Sequence, residues 1–236
     1  MKMHLRIGLL SLLLAVVSAA PAASAAPQAH PPQNALQTAL QQALDSAVID
    51  YEAGRTDQAR SAFEALSRRG VPAADFNLAV MHIKRQLPEP SLPRAEELLT
   101  RSARGGFVTA QLMLARALEN GDLGRRDLVL AHRWYEVAAT SGSVEGQVAM
   151  GTAFYLGRGR SKDPVQAARW FREAAKAGDV GAMYLLASMY EQGDGVERDL
   201  RLARYWYDIA ARNGDEAAPA KVRELDERPA DRIQLA

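Results

Sequence analysis

From about residue 35 onward, apolar and small side chains recur at helical spacing. Ala182, Leu186, Ala187, Met189 and Tyr190 fall at i, i+4, i+5, i+7 and i+8, the stripe of a helix that buries one face. Gly193 follows as a stop, since glycine suits the left-handed residue just past a helix end. Asp199 stands where an N-cap belongs, and Ala203, Trp206, Tyr207, Ala210 and Ala211 make the inner stripe of a second helix that Gly214 closes. The pattern predicts a helix-turn-helix, and strand-like alternation is missing.

The same grammar repeats every 36 residues without insertion. Trp134, Trp170 and Trp206 share one column, and Ala59, Ala95, Ala131, Ala167 and Ala203 another. Gly70, Gly106, Gly142, Gly178 and Gly214 form a third, and Asp127, Asp163 and Asp199 a fourth. Chance does not hold several residue types in register over five units. Small residues at Ala79, Ala115, Gly151 and Ala187 let helix backbones approach, and the Trp column is expected to fill the larger space against the next unit. A helix pair with one apolar face must stack on a neighbour to hide it, so the expected fold is all-α, an α-solenoid of about five stacked helix-turn-helix repeats.

The run Ala182-x3-Leu186-Ala187-x2-Tyr190-x2-Gly193, continued by Asp199-x3-Ala203-x2-Trp206-Tyr207-x2-Ala210-Ala211-x2-Gly214, resembles the Sel-one-like repeat (SLR) family. That family is a branch of the tetratricopeptide-like helical repeats. Residues 107–142, 143–178 and 179–214 carry the motif fully, the first with Leu118 in the aromatic slot and Leu123-Gly124 in the loop. Residues 71–106 are a degenerate copy in which Leu98 replaces Trp and the loop Gln86 to Pro90 has no glycine stop. Residues 35–70 are closer to a tetratricopeptide hairpin, and 215–236 read as a C-terminal capping helix and tail, from the charged stretch Lys221 to Arg228. The resemblance implies a right-handed solenoid that binds a partner without chemistry. Exported members resemble adaptors of sensor kinases, polysaccharide-export machinery, flagellar parts or cell-wall enzymes. This chain lacks every cysteine of the disulfide-bearing branch.

Ahead of the repeats, Lys2 and Arg6 precede fourteen mostly apolar residues, Ile7 to Ala20, and Ala23-Ser24-Ala25 supplies a small-x-small site. The expectation is a signal peptide over residues 1–25, cut after Ala25, followed by an extended Pro-rich linker over 26–34. The mature chain then has no membrane span and is periplasmic or secreted. The composition fits a globular exported protein, with 48% hydrophobic and 24% charged residues in 236. Loss of Lys2 and Arg6 takes the formal net charge from +1 to −1, which gives no electrostatic support to a nucleic-acid partner. Zero cysteine excludes disulfides, thiolate metal sites and a cysteine nucleophile.

Neither repeat histidine has the spacing of a metal ligand: His82 occupies an aromatic slot, and His132 falls where an exposed polar residue is expected. The aspartate column reads as N-caps, and Gly157-Arg158-Gly159 as a turn, because no strand precedes it and no Lys-Ser/Thr follows. No cofactor, metal site or catalytic constellation is expected. Function is sought where residues vary within the repeating scaffold, on the first helices that line the inner curve of related solenoids. The candidates for a partner-binding concave face are Arg116, Glu119, Thr152, Tyr155, Tyr184, Ser188 and Glu191. The expected partner is an envelope protein or peptide. The alternative is a cell-wall or exopolysaccharide glycan stacked on Tyr155 and Tyr184.

Overall fold

A computed structural model describes residues 31–228. The expected signal peptide and residues 26–30 lie outside them, as do residues 229–236. Eleven helices follow one another among the described residues, and no strand is present there. They are α1 (Pro31–Glu52), α2 (Thr56–Arg68), α3 (Pro72–Ile83), α4 (Leu92–Arg104), α5 (Val108–Asn120), α6 (Leu128–Thr140), α7 (Val144–Leu156), α8 (Pro164–Lys176), α9 (Val180–Gln192), α10 (Leu200–Arg212) and α11 (Ala218–Asp226). Two compact units share them, α1 to α4 up to Phe107 and α5 to α11 from Val108. Each is a stack of helical hairpins of the α-solenoid class. No helix among the described residues is long and apolar enough to cross a membrane.

In the second unit the sequence grammar becomes geometry directly. Asp127 Oδ1 accepts from the Leu130 amide at 2.9 Å, Asp163 Oδ1 from Gln166 at 3.0 Å, and Asp199 Oδ1 from Leu202 at 3.1 Å. The column is a set of N-caps for α6, α8 and α10, each worth about 1 kcal/mol. The column alanines 131, 167 and 203 are fully buried. Beside them lie Tyr135, Phe171 and Tyr207 rather than the tryptophans, which are only half-buried at 134, 170 and 206. The reason is angular. The inner stripe runs 131, 135, 138, 139, and a residue one place earlier is rotated about 100° onto the flank of the helix.

Backbones approach closely where the repeat keeps small residues. A Cβ on Gly151 would lie 2.7 Å from the Phe171 ring. One on Gly195 would lie 2.2 Å from the Pro164 carbonyl at the start of α8. The loops after α7 and α9 therefore sit on the starts of α6 and α8. His132 is covered in this way: a Cβ on Gly159 would meet its Cε1 at 2.7 Å. The exposed position expected for His132 is wrong; the ring is 6% exposed because the next repeat's loop lies over it.

The repeat also runs on past Gly214. Ala218 and Leu225 stand 36 residues after Ala182 and Met189, and all four are buried. Helix α11 is thus the first helix of a further repeat, with Asp226 in the aromatic slot. Arg204 donates to that carboxylate through Nε at 2.5 Å and Nη2 at 3.0 Å. An ion pair closes this end where an aromatic packs elsewhere.

The first unit keeps the architecture with substitutions. Helix α1 opens at Pro31, within the span expected as linker; prolines in a first turn lose no hydrogen bond, because those amides have no intrahelical partner. Without a glycine stop after α3, Arg85 itself takes the left-handed conformation at φ 56°. Asp75 is buried and accepts from Arg101 Nε at 2.6 Å, while Arg101 Nη2 donates to Ser67 at 2.7 Å.

Candidate functional site

All seven candidate residues lie on α5, α7 and α9, the first helices of the second unit. Six of them form rows one repeat apart. Arg116, Thr152 and Ser188 make one row, and Glu119, Tyr155 and Glu191 the next. Helical geometry explains the rows, since residues three apart on one helix share a face and the 36-residue period returns each to its place.

The second row is tied to the helix behind it. Glu119 Oε2 accepts from the buried Tyr135 hydroxyl at 2.9 Å, and Glu191 Oε2 from Tyr207 at 3.0 Å. Burial and the neighbouring carboxylate both push those phenols well above the ordinary tyrosine range. The middle repeat exchanges the chemistry: Tyr155 meets Phe171 edge-on, with centroids 6.4 Å apart. Glu191 is held further by Arg228 Nη2 at 2.7 Å and Lys221 Nζ at 3.4 Å, both brought by α11. Glu119 and Glu191 also fix the loops, their backbone carbonyls accepting from Arg126 and Arg198 at 2.9 and 3.0 Å. These two acids are therefore engaged within the chain, which sequence reasoning missed. The recurring Glu and Tyr sixteen residues apart was the available signal.

The first row is more open. Arg116 pairs across the surface with Glu145 at the start of α7, both side chains exposed. Thr152 and Ser188 are half-buried, and Ser188 Oγ accepts from Gln192 Nε2 at 3.2 Å. Tyr184 rests edge-on against Tyr207 at 5.1 Å, and Leu185 beside it is exposed. The face thus presents hydroxyls, one surface ion pair and partly covered aromatic and aliphatic groups.

Groups that titrate near neutrality are placed for structure. His132 is held neutral, its pKa lowered first by burial and then by Arg160. His82 Nδ1 accepts from the Ser91 amide at 3.2 Å, and burial followed by Arg94 lowers its pKa too. Among the described residues no group of His, Asp and Glu is arranged to hold a metal ion.

The family model for the Sel1 repeat matches four consecutive segments, residues 72–107, 108–143, 144–179 and 180–215. The chain belongs to the Sel1 repeat family. Proteins of this family are generally interaction scaffolds, and the repeat fold is non-catalytic. Among solved structures, a Sel1 repeat protein from Oxalobacter formigenes is similar at 27% identity and a TM-score of 0.70, with 80% of each chain covered. A protective antigen present in uropathogenic Escherichia coli strains, displaying an SLR fold, matches at 25% identity and a TM-score of 0.70. That match covers 81% of this chain but 42% of the antigen, so this chain spans less than half of that protein's length. No curated protein matches the chain.

Proposed function

We infer that this Sel1 repeat protein is a non-enzymatic adaptor of the bacterial cell envelope. It holds a protein or peptide partner on the first-helix, concave side of α5, α7 and α9. The observation that carries this reading is the first row, where an otherwise periodic scaffold places Arg116, Thr152 and Ser188 at one register of successive first helices, with Tyr184 and the exposed Leu185 on α9 beside Ser188. Partly buried hydroxyls and aromatic rims suit a polypeptide, whose backbone amides and apolar side chains satisfy both. The signal-like residues 1–25 support export to the periplasm or beyond.

Site-specific photo-crosslinking in the native envelope tests it. One probe replaces Ser188 and another replaces Arg169, an exposed residue of α8 on a second helix. A discrete protein captured at Ser188 and absent at Arg169 is the expected result. Capture at Arg169 alone would move the binding surface to the second helices. If neither probe captures protein while the chain sediments with peptidoglycan or exopolysaccharide, the glycan reading takes its place.

A further inference from the structure

The repeats of this chain serve as one another's controls, and in one of them a volume that its siblings fill is left open. In the α7/α8 and α9/α10 hairpins the second-helix Trp and a first-helix aromatic occur together, as Trp170 with Phe154 and Trp206 with Tyr190. Phe154 and Trp170 pack against the buried cluster of Ala115, Tyr135, Ala139 and Met150, and Tyr190 and Trp206 against the cluster built on α8 to α11. At the same register α3 carries His82 and α4 carries Leu98. Both line an open cleft of about 330 Å³ inside the first unit. Its floor is Leu78 and Leu98, 7% and 2% exposed, with Leu87 from the irregular loop at its side.

In the sibling repeats a guanidinium accompanies the first-helix aromatic. Arg160 Cζ lies 3.8 Å from the Phe154 centroid, and Arg172 donates to the Tyr190 hydroxyl at 2.9 Å. At those registers the first unit has Pro88 and Glu64, but the cleft carries two guanidiniums of its own, Arg60 and Arg94, held by surface ion pairs to Asp57, Glu64 and Glu97. Such pairs are weak enough to rearrange over a ring face. Glu64 and Glu89 line the same cleft and balance the two cations, so an isolated phosphate or carboxylate gains little there. The His82 ring, with Nδ1 accepting from Ser91, keeps its proton on Nε2 when neutral.

We propose that this cleft is a binding site for an aromatic side chain of a partner polypeptide, which completes the Trp-and-aromatic packing that the α3/α4 repeat lacks. It is separate from the first-helix face of α5, α7 and α9 and does not depend on that reading. An indole fits the floor of Leu78 and Leu98 by its faces, and the rim guanidiniums meet its negative π surface.

The test is an NMR titration of the full chain with N-acetyl-L-tryptophanamide, following the His82 ring signals. N-acetyl-L-leucinamide and inorganic phosphate serve as comparison probes. The expected result is a saturable shift in the millimolar range with the tryptophan amide and weaker effects from the other two. Leu98→Trp places the sibling repeats' own side chain in the cleft and should weaken the tryptophan amide at least about tenfold, with an unchanged or raised Tm. Leu98→Phe serves the same purpose with a smaller ring if the indole cannot be accommodated. The proposal is overturned by no saturable His82 shift, by equal binding of the leucine amide or phosphate, or by undiminished affinity in the folded, filled variant. These outcomes leave crosslinking at Ser188 unaffected, so the two readings fail separately.

Discussion

The Tyr207 hydroxyl donates to the Glu191 carboxylate at 3.0 Å, and the same bond joins Tyr135 to Glu119 at 2.9 Å, 72 residues earlier. Each bond links the last turn of a first helix to the middle of the second helix behind it. Phe171 at the intervening position shows that the ring alone satisfies the packing. Tyr135→Phe should therefore cost about 1.5–3 kcal/mol, the worth of one hydrogen bond to a charged acceptor, without altering the fold. Urea denaturation measures the loss. An unchanged midpoint would mean that water replaces the phenol at Glu119.

Two glycines with similar backbone angles should respond unequally. Gly195 and Gly214 both have positive φ, 72° and 96°, so alanine at either strains the backbone by about 1–2 kcal/mol. Only at Gly195 does the new Cβ strike backbone, the Pro164 carbonyl at 2.2 Å; at Gly214 nothing lies within 4 Å. Gly195→Ala is expected to lower Tm at least twice as far as Gly214→Ala. Equal shifts would show that the contact between loop and preceding helix gives way freely.

Stability should fall on the acid side because of His132. Burial, Arg160 and Arg158 lower its pKa against the opposing pull of Glu119, so the folded chain holds the ring neutral. The folded pKa lies below the ordinary 6.5 of the unfolded chain. Its contribution is therefore fully present above about pH 6.5 and is lost as pH drops through the folded value. Thermal melts from pH 7.5 to pH 5 should show a smaller decline in His132→Ala than in the parent. Alanine is the residue that the next repeat places there, at Ala168. Parallel declines would rule His132 out as a source of acid sensitivity.

The Asp75–Arg101 pair carries the first unit's buried charge. Asp75 is 2% exposed, and Arg101 supplies both of its contacts. Replacing Arg101 by Met leaves that carboxylate without its cation, and a loss of about 3 kcal/mol is expected. Urea denaturation of the variant and of the double variant with Asp75→Asn separates the pair from its burial, since the second change removes the charge as well.

Much of this architecture is legible in the residues because a strict period makes each repeat evidence for the others. The aspartate caps, the turn glycines and the buried alanines follow from local rules that one helix pair is enough to reveal. What escaped the sequence depends on contacts between repeats or at their ends. Whether Trp206 or Tyr207 faces the core is a rotation of one residue on an apolar surface that accepts either. His132 is buried by Gly159, which belongs to the following repeat. Glu191 looks free until α11 brings Arg228, 37 residues on, to its carboxylate. The prolines at 31 and 32 read as linker because the same residues suit a first helical turn equally well.

The central claim is that the first-helix face of α5, α7 and α9 is the recognition surface, and an affinity measurement tests it most directly. The partner captured at Ser188 is titrated into purified chain by calorimetry, with the double variant Thr152→Arg, Ser188→Arg and the second-helix variant Arg169→Glu alongside. Steric and charge blockade of a buried interface centre should weaken binding at least about a hundredfold in the double variant, with Tm preserved. Arg169→Glu should leave affinity within about twofold. Unchanged affinity in the folded double variant, or a loss confined to Arg169→Glu, would contradict the account.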